Sequence, residues 1–228
     1  MPKRVMTIAQ GKGGLGKSVL TFLLAEKHQH AVVIDADDAT TTSMRQLAYR
    51  TPIQVSFLDR ATQRIDRSAF NTLFESIEEA ERQLFIVDAG ASVSEQLPKY
   101  FFATGPQNVR EMLDTSGIEL QIICVVSGGN NFKASMSYLS ELVESAQNAF
   151  EIIVANNRHY EMSEEQFEAY QDYCHERSLE SFNFTLVNDK GELALRTAEN
   201  MLQSGKGLSG LGPFKAVYFK GCLENLPI

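Results

Sequence analysis

The sequence predicts an α/β fold: a mostly parallel twisted sheet with helices on both faces, in three layers. Three observations lead there. Apolar runs alternate with helical patterns along the chain, which is how β-α units around a parallel sheet read. Several runs, such as Ile122-Ile123-Cys124-Val125-Val126, are solid rather than alternating with polar residues, as strands covered on both faces require. A glycine-rich loop, Gly11 to Gly16, stands between the first apolar run and the first helical pattern.

Taken in order, the runs place strands over 5–9, 31–36, 84–88, 120–127, 151–155 and 183–187. The intervening helical patterns place helices over 18–28, 68–82, 132–149, 163–177 and 190–203. The fourth helix opens on Ser163-Glu164-Glu165-Gln166, where the serine caps the Gln166 amide and the glutamine reaches back. Gly205 to Pro213 is glycine-rich and separates the last helix from a C-terminal segment. With 228 residues, 43% of them hydrophobic, the chain has material for one sizeable core without disulfides. A single domain over residues 1–228 is therefore expected, with 205–228 as a loop and terminal segment.

Composition narrows the function. Lys and Arg number 21 against 29 Asp and Glu, a net charge of −8, which excludes a bulk cationic surface for nucleic acid. The charge is uneven: Arg45 to Arg67 holds five arginines against Asp59 and Asp66, whereas Glu161 to Glu180 holds seven acids against Arg177. The first segment is a candidate for contact with a phosphate backbone or a partner, and the second reads as a solvated helix face. No apolar run approaches the roughly 20 residues that span a bilayer. Pro2-Lys3-Arg4 is followed by an apolar stretch that stops at Ala9, too short for a secretion signal. Cys124, Cys174 and Cys222 are odd in number and form no C-x-x-C, and the histidines lack metal-ligand spacing. A cytoplasmic location is expected.

Gly11-Lys12-Gly13-Gly14-Leu15-Gly16-Lys17-Ser18 follows the first strand and opens the first helix, the context a phosphate-binding loop requires. Glycines let successive N–H groups turn inward, and the helix N-terminus adds partial positive charge. Lys17 supplies a cation for the β and γ phosphates, and Ser18 offers a hydroxyl to Mg²⁺. The nucleotide-binding candidates are Gly11, Lys12, Gly13, Gly14, Leu15, Gly16, Lys17, Ser18 and the following Val19. Period-two alternation puts Asp35 and Asp37 on one side of the second strand's end and Asp38 on the other, so two carboxylates are expected to converge on the phosphates.

Lys12-Gly-Gly-x-Gly-Lys-Ser resembles the deviant Walker A motif of the ParA/MinD family of dimerising ATPases, and the resemblance extends over roughly residues 5 to 210. It implies a P-loop fold, ATP and Mg²⁺ as ligands, and a lysine, Lys12, that reaches across an ATP-bound homodimer to the partner's phosphates. It implies that Asp37 orients or activates the attacking water and that Asp35 lies near the metal shell. Leu84-Phe-Ile-Val-Asp88-Ala-Gly90 resembles the Walker B strand; Asp88 would hold Mg²⁺ and Gly90 would present an N–H to the γ-phosphate. Ile152-Ile-Val-Ala-Asn156-Asn157-Arg158 is similar to the family's late strand, in which an asparagine amide reads adenine; Asn157 matches best, with Asn156 as the fallback. Leu186-Val-Asn188-Asp189, Ala194 to Ala198 and Gly205 are similar to the family's closing strand, helix and glycine. Asp38 to Thr42 and Ala89-Gly90-Ala91 depart from the family's usual switch sequences.

The function implied is a slow, partner-stimulated ATPase switch that places or segregates DNA or protein cargo, with a protein activator. Plasmid partition, stability or conjugative-transfer roles are favoured over a membrane-bound one. Residues 213–228 offer no basic amphipathic anchor, since Gly221 and Pro227 interrupt the helix. The alternatives are a scaffold that binds ATP with little turnover, a small-molecule kinase without a visible acceptor motif, and a metal-cluster carrier that lacks paired cysteines.

Overall fold

The computed structural model describes residues 2–38, 40–59, 61–62, 64–187 and 191–228. Its strands are β1 (Lys3–Ala9), β2 (Val32–Ala36), β3 (Ile53–Gln54), β4 (Leu58–Asp59), β5 (Arg64–Ile65), β6 (Leu84–Ala89), β7 (Ile118–Ser127), β8 (Glu151–Asn157) and β9 (Glu180–Phe184). Seven of them form one sheet in the order β3-β2-β6-β1-β7-β8-β9, every neighbouring pair parallel, while β4 and β5 pair antiparallel as a small ribbon. The helices are α1 (Lys17–Lys27), α2 (Thr42–Gln46), α3 (Ala69–Glu79), α4 (Ala91–Thr104), α5 (Pro106–Thr115), α6 (Phe132–Ala146), α7 (Glu164–Glu176), α8 (Glu192–Ser204) and α9 (Pro213–Glu224).

Two apolar layers sandwich the sheet. On one face Phe70, Leu97, Val109, Leu139 and Tyr170, from α3 to α7, pack against Leu120, Ile122, Cys124 and Val126 of β7. On the other, Leu20 and Leu23 of α1, Met201 of α8 and Phe219 of α9 share a cluster with Ile123 and Val125. Neighbouring β7 side chains from 122 to 126 thus enter opposite layers and all are buried, which explains the unbroken apolar run. The fold class read from the sequence is the one observed.

Three expectations need correction. α4 and α5 were not among the expected helices. Pro98 lies inside α4 and withholds the N–H that would reach Ser94, and the Tyr138 hydroxyl from α6 donates to that Ser94 carbonyl at 2.9 Å instead. The last strand is Glu180–Phe184 rather than 183–187, since its register is set by β8, with Phe184 opposite Asn157. Its exposed polar positions give no apolar signal. Gly221 does not interrupt the C-terminal helix: burial of Phe219 and Cys222 carries α9 through it, outweighing the roughly 1 kcal/mol that a helical glycine costs. Asn188, Asp189 and Lys190, assigned to the closing strand and the start of the last helix, lie outside the described residues. The Ser163–Gln166 capping box forms as expected. Among the described residues no helix is long and apolar enough to cross a membrane.

Candidate functional site

β1 carries the chain to the carboxyl edge of the sheet at its centre, between β6 and β7. Ligands of open α/β sheets bind in the crevice where connections leave in opposite directions. The glycine loop fills that point. Gly14 and Gly16 have φ of 77° and 100°, in the left-handed region that favours glycine. Gln10, fully buried, holds the loop's base: its side chain donates to Val125 O at 2.6 Å and accepts from Lys12 N at 3.3 Å.

In front of the loop lies a cavity of about 500 Å³ lined by Lys17, Ser18, Asp37, Thr40, Thr42 and Asp88, among others. Lys17 is buried, and its ammonium donates to Gln10 O at 2.9 Å and to Lys12 O at 3.5 Å. Asp88, at the end of β6, is 2% exposed. Its Oδ2 accepts the Ser43 hydroxyl, while its Oδ1 makes no hydrogen bond. The structure therefore brings Lys17, Ser18, Asp37 and Asp88 into one chamber.

Asp35 is placed differently. β2 ends at Ala36, so strand alternation does not extend to Asp37, and the two carboxylates do not face the cavity together. Asp35 is fully buried beside Asp88 in the β2–β6 register, and accepts Asp37 N at 3.0 Å and Met44 N at 2.8 Å. It anchors the segment that follows β2. Asp37 accepts the Thr40 amide at 3.3 Å and also the Thr40 hydroxyl. Gly90 packs against it so closely that a Cβ there would lie 2.8 Å from Asp37 Cα. The Gly90 N–H, expected to face the γ-phosphate, donates to Ala36 O at 3.3 Å. Lys12 is exposed and does not line the cavity of its own chain.

A second cavity of about 360 Å³ continues past Gly14, Gly16 and Val19 to Asn157, Tyr160, Leu186, Val187 and Glu199. It has room for a base, and the apolar residues 186–187 wall it instead of extending the sheet. Asn157 is in it, but Asn156 is not: strand alternation turns Asn156 away, where its Nδ2 donates to Asn183 Oδ1 at 2.8 Å. Nothing in the sequence singled out Gln10, Ser43 or Tyr160 as site residues, although Ser43 stands at the end of a Thr-rich run after Asp37.

The charges in the first cavity and behind it are held at a disadvantage. Burial pushes the Asp88 carboxyl up, opposed by the Ser43 and Ser18 hydroxyls and by Lys17. Burial lowers Lys17, opposed by Asp88 and Asp37. Burial raises Asp35 to about 6, against the amides of Met44 and Asp37. A carboxyl whose folded pKa is raised binds its proton more tightly in the folded chain. Asp35 therefore lowers stability as pH rises from about 4, the unfolded value, through about 6. Asp88 acts in the same sense. Asp88→Asn removes a buried charge, and its melting temperature without nucleotide at neutral pH should exceed wild type by a few degrees, as thermal melts would record. A lower melting temperature would show that the carboxylate is satisfied in the empty chain.

An unpartnered buried carboxylate oxygen beside the Ser18 hydroxyl fits Mg²⁺, which binds through one or two protein oxygens plus phosphates and water. Among the described residues no cluster of three or more His, Cys, Asp or Glu side chains is arranged to hold a metal by itself.

No protein-family model matches the chain. A curated relative, Protein TraL of Escherichia coli, is 30% identical over 145 residues, 61% of this chain and 56% of the relative. The chain thus matches little more than half the length of that protein. The structure is similar to the ATP complex of McdA(D38A) from Cyanothece, with TM-score 0.51 and 17% identity over 99% of this chain and 97% of that one. It is also similar to a plasmid partition protein from Borrelia burgdorferi, with TM-score 0.53 and 14% identity over 89% of this chain and 97% of that one. The chain shares the P-loop fold of these proteins.

Proposed function

We propose that the chain is a ParA/MinD-type switch, working as one unit over its 228 residues. In this reading it binds ATP with Mg²⁺, hydrolyses ATP slowly, dimerises across the nucleotide, and positions or segregates DNA or a protein cargo under the control of a protein partner. The observation that carries the reading is the Ser43–Asp88 hydrogen bond, which ties the carboxylate of the phosphate chamber to α2. A ligand that recruits Asp88 competes for the group that holds α2 in place, so nucleotide state and the shape of residues 40–46 are linked. Thr41, at φ 44°, holds a strained left-handed conformation within that segment.

The chain's own groups divide the work. Loop N–H groups and the start of α1 receive phosphate oxygens. Lys17 exchanges the Gln10 and Lys12 carbonyls for them. Ser18 and Asp88 would hold Mg²⁺, which supplies charge neutralisation on the phosphates. Asp37 orients the attacking water, and Lys12, exposed and outside its own cavity's lining, is available to a second copy. A cytoplasmic site of action agrees with this scheme. The similarity to an ATP-complexed McdA and to a plasmid partition protein supports the choice of nucleotide and of cargo.

The test is Asp37→Ala. It should retain ATP affinity within about threefold, lose turnover by about a hundredfold or more, and accumulate as an ATP-bound dimer in sedimentation. Unchanged hydrolysis would remove Asp37 from the chemistry.

DNA contact through Arg45 to Arg67 is narrowed by the structure. Arg50 donates to Ala25 O, Gln29 O and Ala31 O, and so closes the C-terminal end of α1 rather than facing solvent phosphates. Arg60 lies outside the described residues, and Arg45, Arg64 and Arg67 are exposed. DNA binding by the ATP form should therefore be weak, fall steeply with salt, and decline severalfold in Arg64→Ala/Arg67→Ala. Arg50→Ala should lower the melting temperature instead. Tight DNA binding by the ATP-free chain at physiological salt would defeat this assignment.

A further inference from the structure

Both amide atoms of Asn157 are engaged within the chain. Nδ2 donates to Leu15 O at 2.9 Å, and Oδ1 accepts His159 N at 3.0 Å. Ser127, the register partner of Asn157 across β7 and β8, donates its hydroxyl to the same Leu15 carbonyl at 3.4 Å. Tyr160, three residues on, donates its hydroxyl to Gly14 O at 2.9 Å. Two adjacent strand ends and the loop after β8 thus grip two successive carbonyls of the glycine loop. The approach is close: a Cβ on Gly16 would lie 2.4 Å from Asn157 Nδ2.

In a trans peptide the C=O and the N–H point in opposite directions. Drawing the Gly14 and Leu15 carbonyls toward β7 and β8 turns the Leu15 and Gly16 N–H groups the other way. Hydrogen bonds on the far side of the loop therefore decide where its donors point.

We propose that Asn157, with Ser127 and Tyr160, is a positioning residue of the phosphate loop, setting affinity for the triphosphate and not the choice of base. This inference rests on the nucleotide reading of the cleft. It separates two roles that a ligand without a base can distinguish.

The experiment is calorimetric titration of wild type, Asn157→Ala and Tyr160→Phe with Mg²⁺ and ATP, GTP or inorganic tripolyphosphate. Asn157→Ala should weaken all three by one common factor, roughly three- to tenfold for the loss of one buried hydrogen bond, leaving the ATP-to-GTP ratio unchanged. Tyr160→Phe removes a single hydroxyl and should show the same parallel loss. It decides the question alone if the alanine variant does not fold. Loss of ATP affinity with tripolyphosphate binding kept within twofold, or a shifted ATP-to-GTP ratio, would overturn the proposal and return Asn157 to base reading. A wild-type chain that bound ATP but not tripolyphosphate would overturn it too, because the loop would then hold no phosphate by itself. Binding of none of the three by wild type would instead remove the nucleotide reading.

Discussion

Lys17→Ala is expected to weaken ATP binding about a hundredfold. Charge-assisted hydrogen bonds contribute about 1.5–3 kcal/mol each, and a tenfold change in affinity is about 1.4 kcal/mol. Lys17 is buried at the floor of the phosphate chamber, already desolvated, with its ammonium held by two loop carbonyls. Those carbonyls are weaker partners than phosphate oxygens, so the ligand gains most of that difference. Isothermal titration with ATP and Mg²⁺ measures the effect directly. Equal affinity for wild type and Lys17→Ala would dismiss the cleft as the nucleotide site.

The second large effect belongs to Lys12→Ala. Two nucleotides facing each other across an interface repel unless cations lie between them, and an exposed lysine that does not line its own cavity is placed to supply them. ATP binding should survive through Lys17 and the loop amides, while ATP-driven dimerisation and most turnover are lost, each by about a hundredfold. ADP should promote little dimer in wild type. Sedimentation with a slowly hydrolysed ATP analogue reads both. A Lys12→Ala chain that dimerised and hydrolysed like wild type would make Lys12 an ordinary surface lysine.

The parts of this molecule that were legible in the sequence are those in which local chemistry decides structure. Gly14 and Gly16 need positive φ, Ser163 needs a cap partner, and β7 is buried on both faces; each leaves a mark within a few residues. The parts that were not legible depend on distant partners. Pro98 sits inside α4, and Tyr138, forty residues later, donates to the carbonyl that the proline leaves open. β9 takes its register from β8 and not from its own composition. Arg50 looks like part of a basic patch in the sequence, but four carbonyls from α1 and the turn after it claim its guanidinium.

The candidate site divides along the same line. Lys17, Ser18 and Asp88 line one cavity, since a strand end and a helix start fix their directions. Asp35 and Asp37 part company because β2 stops one residue short of where alternation would keep them together. Asn156 and Asn157 are neighbours whose side chains leave opposite faces of β8, and only the pleat decides which one meets the glycine loop.

The central position of β1 has a consequence for how the protein is made. β1 is synthesised well before its neighbours in the sheet, β6 and β7, which begin at Leu84 and Ile118. At about 5–20 residues per second, the ribosome needs on the order of ten seconds to deliver the second of them. Throughout that interval an apolar segment and the glycine loop behind it wait without the walls that give the loop its shape. Parallel pairing over such separations is slow, and nascent chains of this kind are exposed to aggregation. A nucleotide can begin to assist folding only after β7 has emerged beside β1.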